Sequence, residues 1–277
     1  MSMSGSPVPG VVVPDSVHDA LDVRGWAVRA ASTRGSTHPS DLTPRQDAYA
    51  VRQGNGRIVA VVCDGLGAMD YSHLAAEAAS AALADHLLTA ELEVSGDWTA
   101  HFRVASLAVT RAAGALLGDR APSLDEVADV MATTVTALVI EGVDGPGPWL
   151  AHAATVGDSS AWWRRTRSGA LDFEPWLLMS GGRLTRREVA TSRALALPVP
   201  DDAVVAGTSY EIGPEELLVV CSDGVADAFD DGGSPVAAAF AAGWTNPPRL
   251  TELAHRVAFE SSRSADDRTV VAVWTPR

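Results

Sequence analysis

Two short apolar segments, Ile58 to Cys63 and Leu217 to Cys221, each end at an aspartate followed by glycine, as VVCDG at 61–65 and VVCSDG at 219–224. Val-rich runs of this length that stop at a turn signal are buried strands. Each strand therefore delivers one carboxylate, Asp64 or Asp223, to its end. Either residue alone reads as a turn aspartate, but two such units in one chain point to carboxylates meeting at one place.

The neighbourhood of the first unit adds a third acid. Asp47 to Gln53 alternates as a strand, and Gly54-Asn55-Gly56 turns it into the strand Arg57 to Cys63. In an antiparallel hairpin Asp47 and Asp64 then lie at the same end. A fourth acidic position, Asp266-Asp267, stands directly before the closing strand TVVAVW at 269–274. Carboxylates gathered in a partly buried site repel each other, so they imply raised pKa values or bound cations. Oxygen-only ligands select magnesium or manganese rather than zinc, and Gly65 leaves its own carbonyl open to such an ion. Two ions about 4 Å apart would activate a water and clamp the oxygens of a phosphoryl group.

Composition narrows the alternatives. The 277 residues carry a net charge of -14, which disfavours nonspecific binding to nucleic acid or to an anionic membrane. All 21 basic residues are Arg, which excludes P-loop ATPases, kinases and pyridoxal-phosphate enzymes, since each needs a lysine. Cys63 and Cys221, with no CxxC spacing, read as buried small residues rather than as zinc ligands or nucleophiles. The N-terminal residues lack a basic n-region, and no apolar run approaches the roughly 18 residues needed for a span, so a cytoplasmic location is expected.

Along the chain, residues 1–17 are expected to be poorly ordered and 18–277 to form one domain. Trp26 to Ser32 is the first expected strand. Helices are expected over Tyr71 to Ala90, Trp98 to Leu117 and Ser123 to Val130, and strands over Met131 to Ile140 and Trp149 to Val156, the last continuing past Gly157-Asp158-Ser159 as AWWRR. A helix starting at Val225 and another over Arg249 to Ser262 follow. This order lacks the strand-helix rhythm of a parallel sheet and predicts an α+β fold of antiparallel sheets with segregated helices. Seven arginines between 164 and 193 read as a solvated face, or as an attractor for an anionic substrate.

The ordered set RQDAYA at 45–50, VVCDGLG at 61–67, ATT at 132–134, GDSSAWWRR at 157–165, SRAL at 192–195, VVCSDG at 219–224 and DDRTVVAV at 266–273 resembles the metal-dependent protein phosphatases of type 2C, bacterial members included. The resemblance implies a four-layer α-β-β-α sandwich with two central antiparallel sheets flanked by helices. It implies two Mn2+ or Mg2+ ions and a phosphoserine or phosphothreonine protein substrate. Asp64 would bridge the ions with the Gly65 carbonyl on one, Asp223 and Asp266 would complete the other, and Asp47 would act directly or through water. Asp158 is read as fixing its turn.

The family's phosphate-binding arginine aligns best with His38, with Arg34 and Arg45 as nearby substitutes, and Gln46 stands where the family has Glu. Val130 occupies the place of a third-metal acid, so two ions are expected. His73 and His152 are further candidate proton donors, against the commoner structural role. A second reading, motivated by Gln46 and His38, is a catalytically impaired phosphatase-like binding or regulatory module.

Overall fold

The computed structural model describes residues 13–36, 43–118, 121–167, 170–175, 196–200, 203–230, 232–259 and 265–277. One antiparallel sheet takes, in spatial order, β1 (Ser16–Val23), β2 (Trp26–Thr33), β11 (Arg268–Trp274), β10 (Leu217–Cys221), β7 (Ser160–Arg167) and β8 (Ala170–Pro175). The other takes β3 (Ala48–Gly54), β4 (Arg57–Cys63), β5 (Val135–Glu141), β6 (Trp149–Val156) and β9 (Thr208–Ile212). The helices are α1 (Ser72–Leu87), α2 (Thr99–Leu116), α3 (Leu124–Val130), α4 (Asp223–Phe229), α5 (Pro235–Gly243) and α6 (Leu250–Val257).

The apolar strands are buried on both faces, and this makes their sequences continuous rather than alternating. In β4, Ile58, Ala60 and Val62 face the other sheet, while Val59, Val61 and Cys63 face helices α1 and α2. In β10 the same split puts Leu218 and Val220 between the sheets and Leu217, Val219 and Cys221 against the helical layer that contains α4 to α6. The layers are therefore helix, sheet, sheet, helix, as expected. Both cysteines are free and fully buried, and burial pushes the Cys221 thiol up to about 12.

The N-terminal expectation needs correction. A full strand, β1, begins at Ser16 and pairs with β2 from Ser16↔Thr33 to Val23↔Trp26. Arg24 and Gly25, both at positive φ (50° and 88°), make the two-residue turn. Val17, Leu21 and Val23 are half-buried on one face of the strand, a period of two that exposed Asp19 interrupts. Strands β8 and β9 and helix α5 add to the expected elements. The strand expected from Met131 starts only at Val135, because residues 132–134 bond instead to the turn after β4. Among the described residues no helix is long and apolar enough to cross a membrane.

Candidate metal centre

Strand register brings the acids together. Ala48 pairs with Cys63, so Asp47 and Asp64 stand opposite each other one position beyond the β3–β4 hairpin ladder. Cys221 pairs with Val270 and with Ser160, which puts Asp223, Asp266 and the Asp158 turn at the corresponding end of the other sheet. A cleft of about 200 Å³ opens between these ends, and its lining includes Asp64, Gly65, Thr134, Asp158, Asp223 and Asp266.

The Asp64 turn is held by its neighbour in the sheet. Thr134 N donates to the Asp64 carbonyl at 2.8 Å, Thr133 Oγ1 donates to the same oxygen at 2.9 Å, and Asp64 N donates to Thr134 Oγ1 at 3.2 Å. Thr134 Oγ1 also bonds Ser159 Oγ at 2.7 Å, which ties the Asp158 turn to the Asp64 turn. One carboxylate oxygen from each of Asp64, Asp158 and Asp223 lies within 4.8 Å of the others. Asp158, read from sequence as a turn residue only, thus contributes its carboxylate to the cluster. Its signal was the same one that exposed the others, an acid at the end of an apolar strand.

Asp47 lies behind this group, 2% exposed, with Oδ2 accepting from Ser222 Oγ at 2.7 Å. Asp267, to which the sequence reading gave no role, is equally buried. Its carboxylate accepts from Gly35 N at 2.6 Å, Asp47 N at 3.3 Å and Gln46 N, and so fixes the segment that carries Asp47. Asp266 lines the cleft while its neighbour Asp267 faces inward. Gln46 is buried and donates through Nε2 to Met69 O at 3.2 Å, bracing the turn after Asp64.

Removal from water dominates the electrostatics. Burial, then the charge of Asp267, pushes Asp47 up to about 8, against the pull of hydroxyl donors. Burial raises Asp64 well above the carboxylate range, with Asp47, Asp223 and Asp266 adding. Asp223 goes up to about 7 by burial and then by the charge of Asp158. Asp158 is raised as well, by desolvation first. Among the described residues Asp47 Oδ1 and Asp223 Oδ1 are buried with no hydrogen-bond partner. Orphaned carboxylate oxygens, mutual repulsion and an all-oxygen donor set fit a hard divalent cation.

The comparisons agree with this architecture. The sequence pattern of the family described as Protein phosphatase 2C matches residues 34–257. The chain belongs to this family. It is similar in structure to the catalytic domain of the serine/threonine phosphatase PstP in complex with two manganese ions, at 21% identity and a TM-score of 0.57 over 91% of this chain and 99% of that one. The phosphatase MsPP from Mycobacterium smegmatis, in complex with cacodylate, shares 23% identity at a TM-score of 0.55 over 90% and 97%. Mycobacterium tuberculosis PstP gives 23% and 0.54 over 91% and 99%. At these identities the likeness speaks for the fold. Among curated protein sequences none matches the chain.

Of the remaining candidate residues of this phosphatase 2C chain, those that the structure describes are not among the lining of the cleft. His38 falls outside the described residues. Arg34 pairs with Asp15 at 3.1 Å. Arg45 is buried and donates to Pro14 O at 3.2 Å, to Ser32 Oγ at 2.7 Å and to the Asp47 carbonyl, so it supports the site from behind. His152 is sealed from solvent, with Nδ1 bonded to Ser209 Oγ at 2.8 Å and Nε2 at 3.3 Å from Glu141. His73 is buried at the start of α1, and burial lowers its pKa. Of the arginine-rich segment, Arg164 is buried rather than solvated, and most of the rest lies outside the described residues.

Proposed function

We propose that this chain is a metal-dependent protein phosphatase that hydrolyses phosphoserine and phosphothreonine in protein substrates with two Mn2+ or Mg2+ ions. The carrying observation is the approach of the Asp64, Asp158 and Asp223 carboxylates to within 4.8 Å in a cleft that also presents Asp266. Asp64, the Gly65 carbonyl, Asp223 and Asp266 would hold the ions, with Asp47 behind them and Asp158 as an added donor. Bound divalent ions supply an acidified water and neutralise phosphoryl oxygens. The similar PstP domain with two manganese ions supports this reading.

The chain's own residues position these groups. Thr133 and Thr134 fix the Asp64 backbone, Ser222 Oγ holds Asp47 from one side, and Asp267 ties down the 46–47 backbone. His38 and Arg34 are the proposed contacts of the substrate phosphate, while Arg45 serves through its bond to the Asp47 carbonyl.

One observation favours the second reading, a phosphatase-like module without turnover: among the described residues that line the cleft, none is basic. Hydrolysis of p-nitrophenyl phosphate and of a phosphothreonine peptide with Mn2+, alongside calorimetry of Mn2+ binding, separates the two. Wild type is expected to turn over both substrates, and Asp64→Asn to lose at least about 100-fold, as loss of a group that acts on transition-state charge does. Manganese uptake with no turnover of either substrate would establish the module instead. Equal slow rates in wild type and Asp64→Asn would remove the catalytic reading altogether.

A further inference from the structure

The first sheet carries a second cavity, of about 560 Å³, at the end opposite the acidic cleft. Arg164 in its wall pairs with Leu217, where β10 begins, whereas Asp223 follows the end of that strand. Arg164 is 4% exposed. Its Nη1 donates to Trp244 O at 2.8 Å and to Ala241 O at 3.5 Å, and among the described residues Nε and Nη2 have no partner. Burial lowers its pKa, and among the described residues no acid is seen to oppose that effect.

The acids at this cavity are already engaged. Glu216 Oε2 accepts from Trp163 Nε1 at 3.1 Å and from Gly213 N at 3.0 Å. Glu215 is exposed at the rim, 4.0 Å from Arg277 Nε. A buried cation without a counter-charge is costly, and the cost is relieved when an anion binds. The guanidinium edge formed by Nε and Nη2 is the fork that accepts two oxygens of one planar group. Beside it, Trp274 and Ala27 give an apolar floor.

We propose that this cavity binds a small organic monocarboxylate, with its oxygens on the free edge of Arg164 and its apolar body against Trp274. Arg164 is the buried guanidinium of the wall, while Arg277, also in the lining, is exposed and faces Glu215, which selects a monoanion. A phosphate dianion would bring a second charge into a wall that already holds Glu215 and Glu216, in a protein whose net charge is already -14. The site is separate from the acidic cleft and does not depend on the function proposed for it.

Benzoate, titrated calorimetrically into the full chain, tests this. Wild type is expected to take up one equivalent, and Arg164→Met to bind at least about tenfold more weakly, the loss expected for a charge-assisted hydrogen bond. Thr245→Trp, a change at an exposed position on the cavity rim, is expected to lose binding while keeping the fold, and it decides the matter if Arg164→Met does not fold. Asp64→Asn should bind benzoate as wild type does. Equal affinity in wild type and Thr245→Trp, or no uptake by wild type, overturns the site. Inorganic phosphate competing as well as benzoate overturns the choice of a monocarboxylate.

Discussion

The two strand-Asp-Gly units look alike in sequence and are built differently. After β4, Asp64 enters a turn whose backbone is bonded at both its N–H and its carbonyl to the segment before β5. After β10, Asp223 is already the first residue of α4, and the Ser222 carbonyl accepts from Val225 and Ala226. The first aspartate is placed by a neighbouring strand end, the second by a helix start. One short motif can therefore converge on a common cleft from two unrelated local structures.

The glycines show the same contrast. A Cβ at Gly65 would sit 2.8 Å from Gln46 O and 2.8 Å from Ser72 Cβ, while one at Gly224 would sit 2.0 Å from Asp267 O. The Gly224 contact is with backbone whose neighbouring side chain anchors three N–H groups, so it has little room to move. Gly224→Ala is expected to destabilise by at least about 3 kcal/mol, in the range of severe overpacking, and Gly65→Ala by about 1–3 kcal/mol. Urea unfolding of the two variants measures this. If Gly65→Ala proves the more damaging, the helix-start end is the more adaptable one and the contrast is reversed.

Ser222 joins the two ends. Its Oγ donates to Asp47 Oδ2 at 2.7 Å and accepts from Thr269 N at 3.0 Å, linking the hairpin acid to the strand beside Asp223. Ser222→Ala is expected to cost about 1–2 kcal/mol in stability and, under the proposed function, to weaken Mn2+ binding by about tenfold, as losses of ligand-orienting groups do. Calorimetry of Mn2+ binding alongside unfolding reads both. Unchanged metal affinity with reduced stability would leave Ser222 a purely structural bridge.

Legibility in the sequence followed the same division. Leu217 to Cys221 was read with its exact ends and the β3–β4 hairpin with its turn, because apolar runs and Asn-Gly turns report local structure directly. The strand β1 was missed because its pattern is diluted by exposed polar residues on an edge. That the Asp158 carboxylate lies beside Asp64 and Asp223, and that Asp267 binds backbone N–H groups, was not legible for a different reason. Whether an acid at a strand end faces a cleft or turns inward to bind backbone N–H groups depends on long-range register, 220 residues apart for Asp47 and Asp267. No local signal carries that information.

The smallest expected effect concerns pH. Asp223 is raised to about 7 and Asp47 to about 8, with Asp64 raised as well, chiefly by burial. An unfolded aspartate titrates near 3.9, so between that value and the raised ones the folded metal-free chain holds more protons than the unfolded chain. Stability contributed by these groups is fully present below about pH 4 and is lost as pH rises through about 7 to 8. Thermal unfolding of the metal-free protein should therefore show a lower Tm at about pH 8 than at about pH 5.5. Mn2+ should raise Tm more at the higher pH, where the ligands shed their protons. Asp223→Asn and Asp47→Asn should each flatten the fall in Tm across this window, because each removes one carboxyl that burial holds protonated. A metal-free Tm that climbs through this window would mean that the carboxylates are not held protonated in the folded chain.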